Sequence, residues 1–142
     1  MKLLVPNDRE RVGAWVAQRI TGESRWDGAY SALGLESDGE LVAGVVVDQW
    51  VPEQRCQLHC AGEGRHWLTR TFLFEVFNYV FNQLRCKVIL SPVAGGNIDS
   101  LRFIKHIGFT EVCRIPDADE TGDLVLLSYY KDQCRWLGLA AR

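Results

Sequence analysis

The sequence predicts an α/β fold, an α+β arrangement in which a central mixed β-sheet carries helices on both faces. Three observations predict it. A strand–helix–strand unit in the middle of the chain implies a parallel pair joined by a right-handed crossover. An antiparallel hairpin precedes that unit, and a helix followed by two further strands comes after it. The length of 142 residues, 47% hydrophobic and 24% charged, is that of one soluble domain, 1–142, which buries about 70% of its unfolded surface. That balance excludes a disordered chain and a membrane bundle.

The elements follow in order. Asn7 can cap free N–H groups at the start of a helix, with Glu10 reaching back in a capping box. Behind them Val12, Trp15, Val16 and Ile20 fall at helical spacing, until Thr21-Gly22 stops the run. From Ala29 to Trp50 two β-rich arms flank the turn Ser37-Asp38-Gly39, a hairpin signal, and Arg55 to Ala61 is a third strand. Residues 66–84 are largely apolar, but the polar residues Thr71, Glu75, Asn78 and Asn82 recur at steps of four, three and four. That spacing is one narrow stripe of a long, mostly buried helix. Lys87 to Val93 reads as an interior strand ending at Pro92, and Gly95-Gly96 as a turn. Asn97 caps the next helix, with Ile98, Leu101, Ile104 and Ile107 on its buried side and Gly108 as its left-handed stop. Phe109–Ile115 and Leu124–Tyr130 are strands joined by the acidic loop Pro116 to Asp123.

Charge narrows the function. With 16 Lys+Arg against 18 Asp+Glu the formal net charge is −2, and no basic–aromatic stripe occurs, which argues against nucleic acid as partner. Five cysteines without a Cys-x-x-Cys pair read as reduced thiols. Cys56, His59 and Cys60 do not make a metal site, because strand alternation sends His59 to the face opposite the two cysteines and no second ligand pair completes a tetrahedron. The start has no secretory h-region and no apolar run reaches a bilayer's thickness, so a cytoplasmic protein with no membrane partner is expected.

The element order, together with Asn97-Ile98-Asp99-Ser100 leading through Ile104 and Ile107 to Gly108-Phe109, resembles the GNAT (N-acetyltransferase) superfamily. Its Asn-x-x-Ala/Ser helix ending in Gly-Phe is filled here by Asn97, Ser100, Gly108 and Phe109. The ending from Ser128 to Leu137 is similar to the tails of short GNAT-like proteins of bacteriophages, which would place the chain in a host cytoplasm. The resemblance implies a GNAT-like fold with a splayed parallel strand pair, acetyl-CoA as co-substrate, and direct transfer of an acyl group to an amine of a protein or small molecule. Such a splayed pair beside a helix N-terminus offers N–H groups and a partial positive charge to a pyrophosphate. The matching segment is His59-Cys60-Ala61-Gly62-Glu63-Gly64-Arg65, set against the family's Gln/Arg-x-x-Gly-x-Gly/Ala. Cys60, Gly62, Gly64, Arg65, Asn97 and Ser100 are therefore the expected cofactor-binding residues. Glu63 would repel phosphates unless it points outward.

Acyl transfer to an amine needs a base, an oxyanion donor and protonation of the leaving thiolate. By resemblance the donor is a backbone N–H near Leu58 to Cys60. His59 is the first candidate base, since imidazole titrates near neutral pH, and Asp48 the second. The family's tyrosine acid aligns with Ile104, which cannot donate a proton, so Tyr129 or Tyr130 on the late strand, or no residue at all, would have to serve. Against these stand plainer readings: a strand-end histidine satisfied by backbone, caps at Asn97 and Ser100, and a solvated acidic loop. The helix with Phe72, Phe74, Phe77, Tyr79 and Phe81 is core first, though its aromatics, together with Trp67, Trp136 and Tyr130, can also offer a homodimer or partner surface. A GNAT-like phage structural or host-protein-binding protein without catalysis is the alternative function.

Overall fold

A computed structural model describes residues 2–20, 26, 28–64 and 69–141. Its strands form one seven-stranded mixed sheet in the order β1-β2-β3-β4-β5-β7-β6. Along the chain these are β1 (Lys2–Val5), α1 (Arg9–Ile20), β2 (Tyr30–Ser37), β3 (Glu40–Val51), β4 (Arg55–Gly62), α2 (Arg70–Asn78), β5 (Val88–Ala94), α3 (Ile98–Ile107), β6 (Thr110–Asp119) and β7 (Gly122–Tyr130). The parallel pair is β4 and β5, and every other neighbouring pair is antiparallel.

Two elements differ from the sequence reading. β1 was not foreseen, because Lys2 to Val5 is short and mostly exposed and its partner, the far end of β2, lies thirty residues on. The acidic segment expected as a loop is mostly strand. β6 runs to Asp119 and β7 starts at Gly122, because β-bulges in the pairing let a polar, proline-containing edge strand follow its neighbour. Smaller departures are β5 continuing past Pro92 to Ala94 and Ile98, which is 62% exposed rather than on the buried side of α3. Ile98 is the first residue of α3, before the helix has closed on the sheet.

Helices cover the sheet from both sides. α1 lays Val12 and Val16 on β2 and β3 with Ala32, Leu41 and Val46. Gly34 and Gly44 permit this approach: a Cβ on either would stand 2.7 or 2.6 Å from a methyl of Val12 or Val16. On the other face α2 and α3 close the larger core, with Phe72, Phe77, Ile89, Ile104, Leu127 and Tyr129. Thr69 caps α2 by accepting the Phe72 N–H at 3.1 Å, and the helix ends in a π-helical turn, Tyr79–Gln83. The stripe Thr71, Glu75, Asn78 and Asn82 is exposed or half-buried, as its spacing requires. No helix among the described residues is long and apolar enough to cross a membrane.

Candidate functional site

The site starts where a ladder stops. β4 and β5 pair through Arg55↔Val88, Cys56↔Ile89 and Gln57↔Leu90, and no further. The Val88 N–H bonds the Gln54 carbonyl at 3.3 Å, which sets the alternation: even-numbered backbone groups of the two strands face each other. The next rung would join the N–H of residue 92 to the Leu58 carbonyl. Residue 92 is a proline and has no N–H. Ser91 takes that carbonyl instead, its buried Oγ donating to Leu58 O at 3.2 Å. Beyond it His59–Gly62 keep only β3, and Pro92–Ala94 keep only β7.

The strands part into a cleft of about 570 Å³, lined on the β4 side by Leu58 to Gly62 and Gly64, and on the β5 side by Ser91 to Ala94. Asn97, Ser100 and Phe103 of α3 close one flank, while Ile20, Asp119 and Leu124 stand at the rim. The alternation continues up β4, since the Glu63 N–H turns to Val42 O of β3 at 2.8 Å. The Cys60 and Gly62 backbone groups therefore face the opening.

His59 and Asp48 meet. Val46 pairs with His59, so Asp48 lies diagonally across the two strands on the same face. The distance from His59 Nε2 to Asp48 Oδ1 is 2.9 Å, with side chains only 15% and 11% exposed. A carboxylate only accepts, so Nε2 donates, and in the neutral imidazole Nδ1 is then the nitrogen with the lone pair. Trp26 stands against the imidazole with ring centroids 4.9 Å apart, and its own indole N–H is fixed on the Gly13 carbonyl at 2.8 Å. The two residues proposed as rival bases are thus one pair.

The other expected residues divide. Cys60, Gly62, Gly64, Asn97 and Ser100 all line the cleft. Asn97 also caps α3, its Oδ1 accepting the Ser100 N–H at 3.2 Å. Gly64 adopts φ of +74° with nothing within 4 Å of a Cβ position, so backbone is open to a ligand there. Glu63 is drawn away by Arg19 of α1, whose Nε donates to its carboxylate at 3.0 Å. Arg65 lies outside the described residues. Burial pushes the Cys60 thiol up to about 12 and raises Cys56 as well, which keeps both protonated and poor nucleophiles. His59 and these cysteines point to opposite faces, as expected: Cys56 and Cys60 join the larger core.

Tyr129 is a correction. It is 1% exposed, its hydroxyl donates to Ile107 O at 3.2 Å, and Phe77, Phe81 and Phe109 enclose its ring. β7 runs antiparallel to β5, so Tyr129 pairs with Ile89 at the closed end while Leu124 pairs with Ala94 at the open one. Tyr130 is at that closed end too, pairing with Val88. Neither can reach a reacting group in the cleft, and Ile104 is 3% exposed in the core. The sequence reading missed Ser91 and Trp26. Ser91 carried a signal, a lone hydroxyl inside Val-Ile-Leu-Ser-Pro-Val, because a buried hydroxyl needs a partner. Trp26 carried none.

No family model matches this chain, and no curated protein does. Solved structures do. A point mutant of the spermidine N-acetyltransferase SpeG from Vibrio cholerae is similar at 15% identity, covering 98% of each chain with a TM-score of 0.74. The ribosomal-protein-S18-alanine N-acetyltransferase from Escherichia coli is similar at 15% identity over 92% of this chain and 94% of that one, with a TM-score of 0.71. A chimera of Vibrio cholerae SpeG and hSSAT is similar at 14% identity over 95% of this chain and 99% of that one, with a TM-score of 0.73. The fold is that of the GNAT acetyltransferases. These structural neighbours are acetyltransferases acting on amines, spermidine in one case and the alanine of a ribosomal protein in another.

Proposed function

We propose that this protein is an acetyl-CoA-dependent N-acetyltransferase that passes the acyl group directly to an amine. The observation that carries the reading is the His59–Asp48 pair at 2.9 Å, placed on the cleft that opens where the β4–β5 ladder stops. A thioester arm needs a slot with free backbone groups along one wall, and the edge from Cys60 to Gly62, past the Leu58 carbonyl held by Ser91, supplies it. Gly64 and the Asn97–Ser100 turn stand at the same opening for the phosphate-bearing part.

Bound there, acetyl-CoA supplies an activated acyl carbon. Asp48 holds the His59 ring with Nε2 protonated, so that Nδ1 is the atom that takes the proton from the acceptor ammonium or amine. The amine nitrogen bonds to the carbonyl carbon, the Cys60 N–H stands where the oxyanion forms, and the carbon–sulfur bond breaks to release the thiolate. A thiol with an ordinary pKa near 8.5 leaves with little acid assistance at neutral pH, so the lack of a tyrosine at position 104 is tolerable. The protonated, desolvated Cys60 thiol favours direct transfer over a covalent enzyme intermediate.

A second reading, a binding protein of this fold without transfer, is favoured by one observation: Ile104, at the family's tyrosine position, is sealed in the core. Calorimetry separates the two. Acetyl-CoA should bind with a micromolar dissociation constant, and a spermidine or peptide acceptor should then release free thiol. Absence of binding at millimolar cofactor would remove the transferase reading.

A further inference from the structure

One face of the sheet is left open beside His59. α1 packs on β2, β3 and β4, and among the described residues no helix covers the same side of β5, β7 and β6. Val125, Leu127 and Tyr129 of β7 turn into the larger core, so alternation turns Leu124 and Leu126 the other way. Their partners across β5 are Pro92 and Ala94, Leu90 lies diagonally from Leu126 on the same face, and Leu124 pairs across to Ile115 of β6. Leu90, Leu124 and Leu126 are half-buried and belong to neither core cluster, and Ile115 is 44% exposed.

The hairpin that bounds this face is acidic. Asp117, Asp119, Glu120 and Asp123 crowd the β6–β7 turn, and Asp119 stands on the cleft rim with Leu124. Asp99 is the other carboxylate of that lining, and no lysine or arginine is present among its described residues. Apolar surface leads to the base, and the carboxylates of the β6–β7 hairpin border it on one side.

We propose that the acceptor is a polypeptide segment in which the target amine is flanked by apolar side chains and basic residues, docked on this sheet face with its charges toward the acidic hairpin. The inference rests on the transferase reading and adds the acceptor's class to it. A polyamine would satisfy the carboxylates and leave the leucines wet. A second copy docked two-fold on this face would bring two acidic hairpins toward one another and obstruct the cleft. A basic, apolar peptide satisfies both surfaces.

The test compares three acceptors with the full chain and acetyl-CoA: a decapeptide with one lysine between leucines and two arginines, a decapeptide with one lysine between serines and two glutamates, and spermidine. The apolar, basic peptide should show a kcat/KM at least tenfold above either of the others. Ile115→Glu, at an exposed position, should lower that value at least fivefold through KM, with the acetyl-CoA dissociation constant unchanged. D117N combined with D123N should narrow the gap between the two peptides. Equal use of all three acceptors, or an Ile115→Glu enzyme that binds acetyl-CoA and works as before, overturns the docking face while leaving the transferase standing. A dimer in sedimentation that Ile115→Glu disperses assigns the face to a second copy and also overturns it. Absence of acetyl-CoA binding, read separately by calorimetry, removes the transferase reading and this one with it.

Discussion

The parallel pair β4–β5 has two halves that differ by one donor. In the lower half, Arg55 to Gln57 ladder onto Val88 to Leu90 and lie against a closed aromatic core. In the upper half the same two strands, each still held by its outer neighbour, stand apart around a cleft. The sheet does not need a special bend to do this. Removing the N–H at Pro92 ends the ladder, and the Ser91 hydroxyl satisfies the Leu58 carbonyl that is left over. Polar groups that are spent on structure below are free for chemistry above.

The largest effects belong to the open half. His59→Ala should slow transfer by about 10²- to 10⁴-fold while acetyl-CoA affinity, measured by calorimetry, stays within about twofold; an unchanged rate would move the base elsewhere. Asp48→Asn comes next. An amide can present its NH2 to Nε2 and so place the ring proton on Nδ1, and transfer should fall roughly ten- to a hundredfold, seen in steady-state kinetics with no loss of folding.

Pro92→Ala tests the divide itself. Restoring an N–H opposite Leu58 O offers one more rung, worth about 0.5–1.5 kcal/mol, so acetyl-CoA should bind about two- to thirteenfold more weakly. Hydrogen exchange at the new amide should show protection, and a fast-exchanging amide with unchanged affinity would show that the proline does not hold the strands apart. The closed half should respond in the opposite sense. Tyr129→Phe removes a hydroxyl from Ile107 O, a carbonyl that Trp136 Nε1 also serves at 2.9 Å. The loss should be about 1 kcal/mol of stability, a fall of a few degrees in Tm, and no change in transfer rate. A slowed reaction would restore Tyr129 to the chemistry.

Much of this architecture is legible in the chain because local signals and long-range pairing agree. The Asp38-Gly39 turn, the Asn97 cap and the Gly108 stop each mark an element that the structure contains. β1 was illegible because four residues carry no period, and its partner is fixed only by tertiary pairing. For the site, residue type pointed to His59 and Asp48 separately; their contact depends on the β3–β4 register, which a sequence does not state. Tyr129 shows the converse. A tyrosine on a late strand suits proton transfer by type, but its strand runs antiparallel to β5 and carries it to the far end of the sheet.

The break at Pro92 is covalent in origin, so the slot exists before anything enters it. A ligand arriving there has no rungs to unzip and spends none of its affinity on prising the sheet apart. Free and loaded forms of this protein should then superpose closely along both strands, and association should follow encounter without a slow isomerisation.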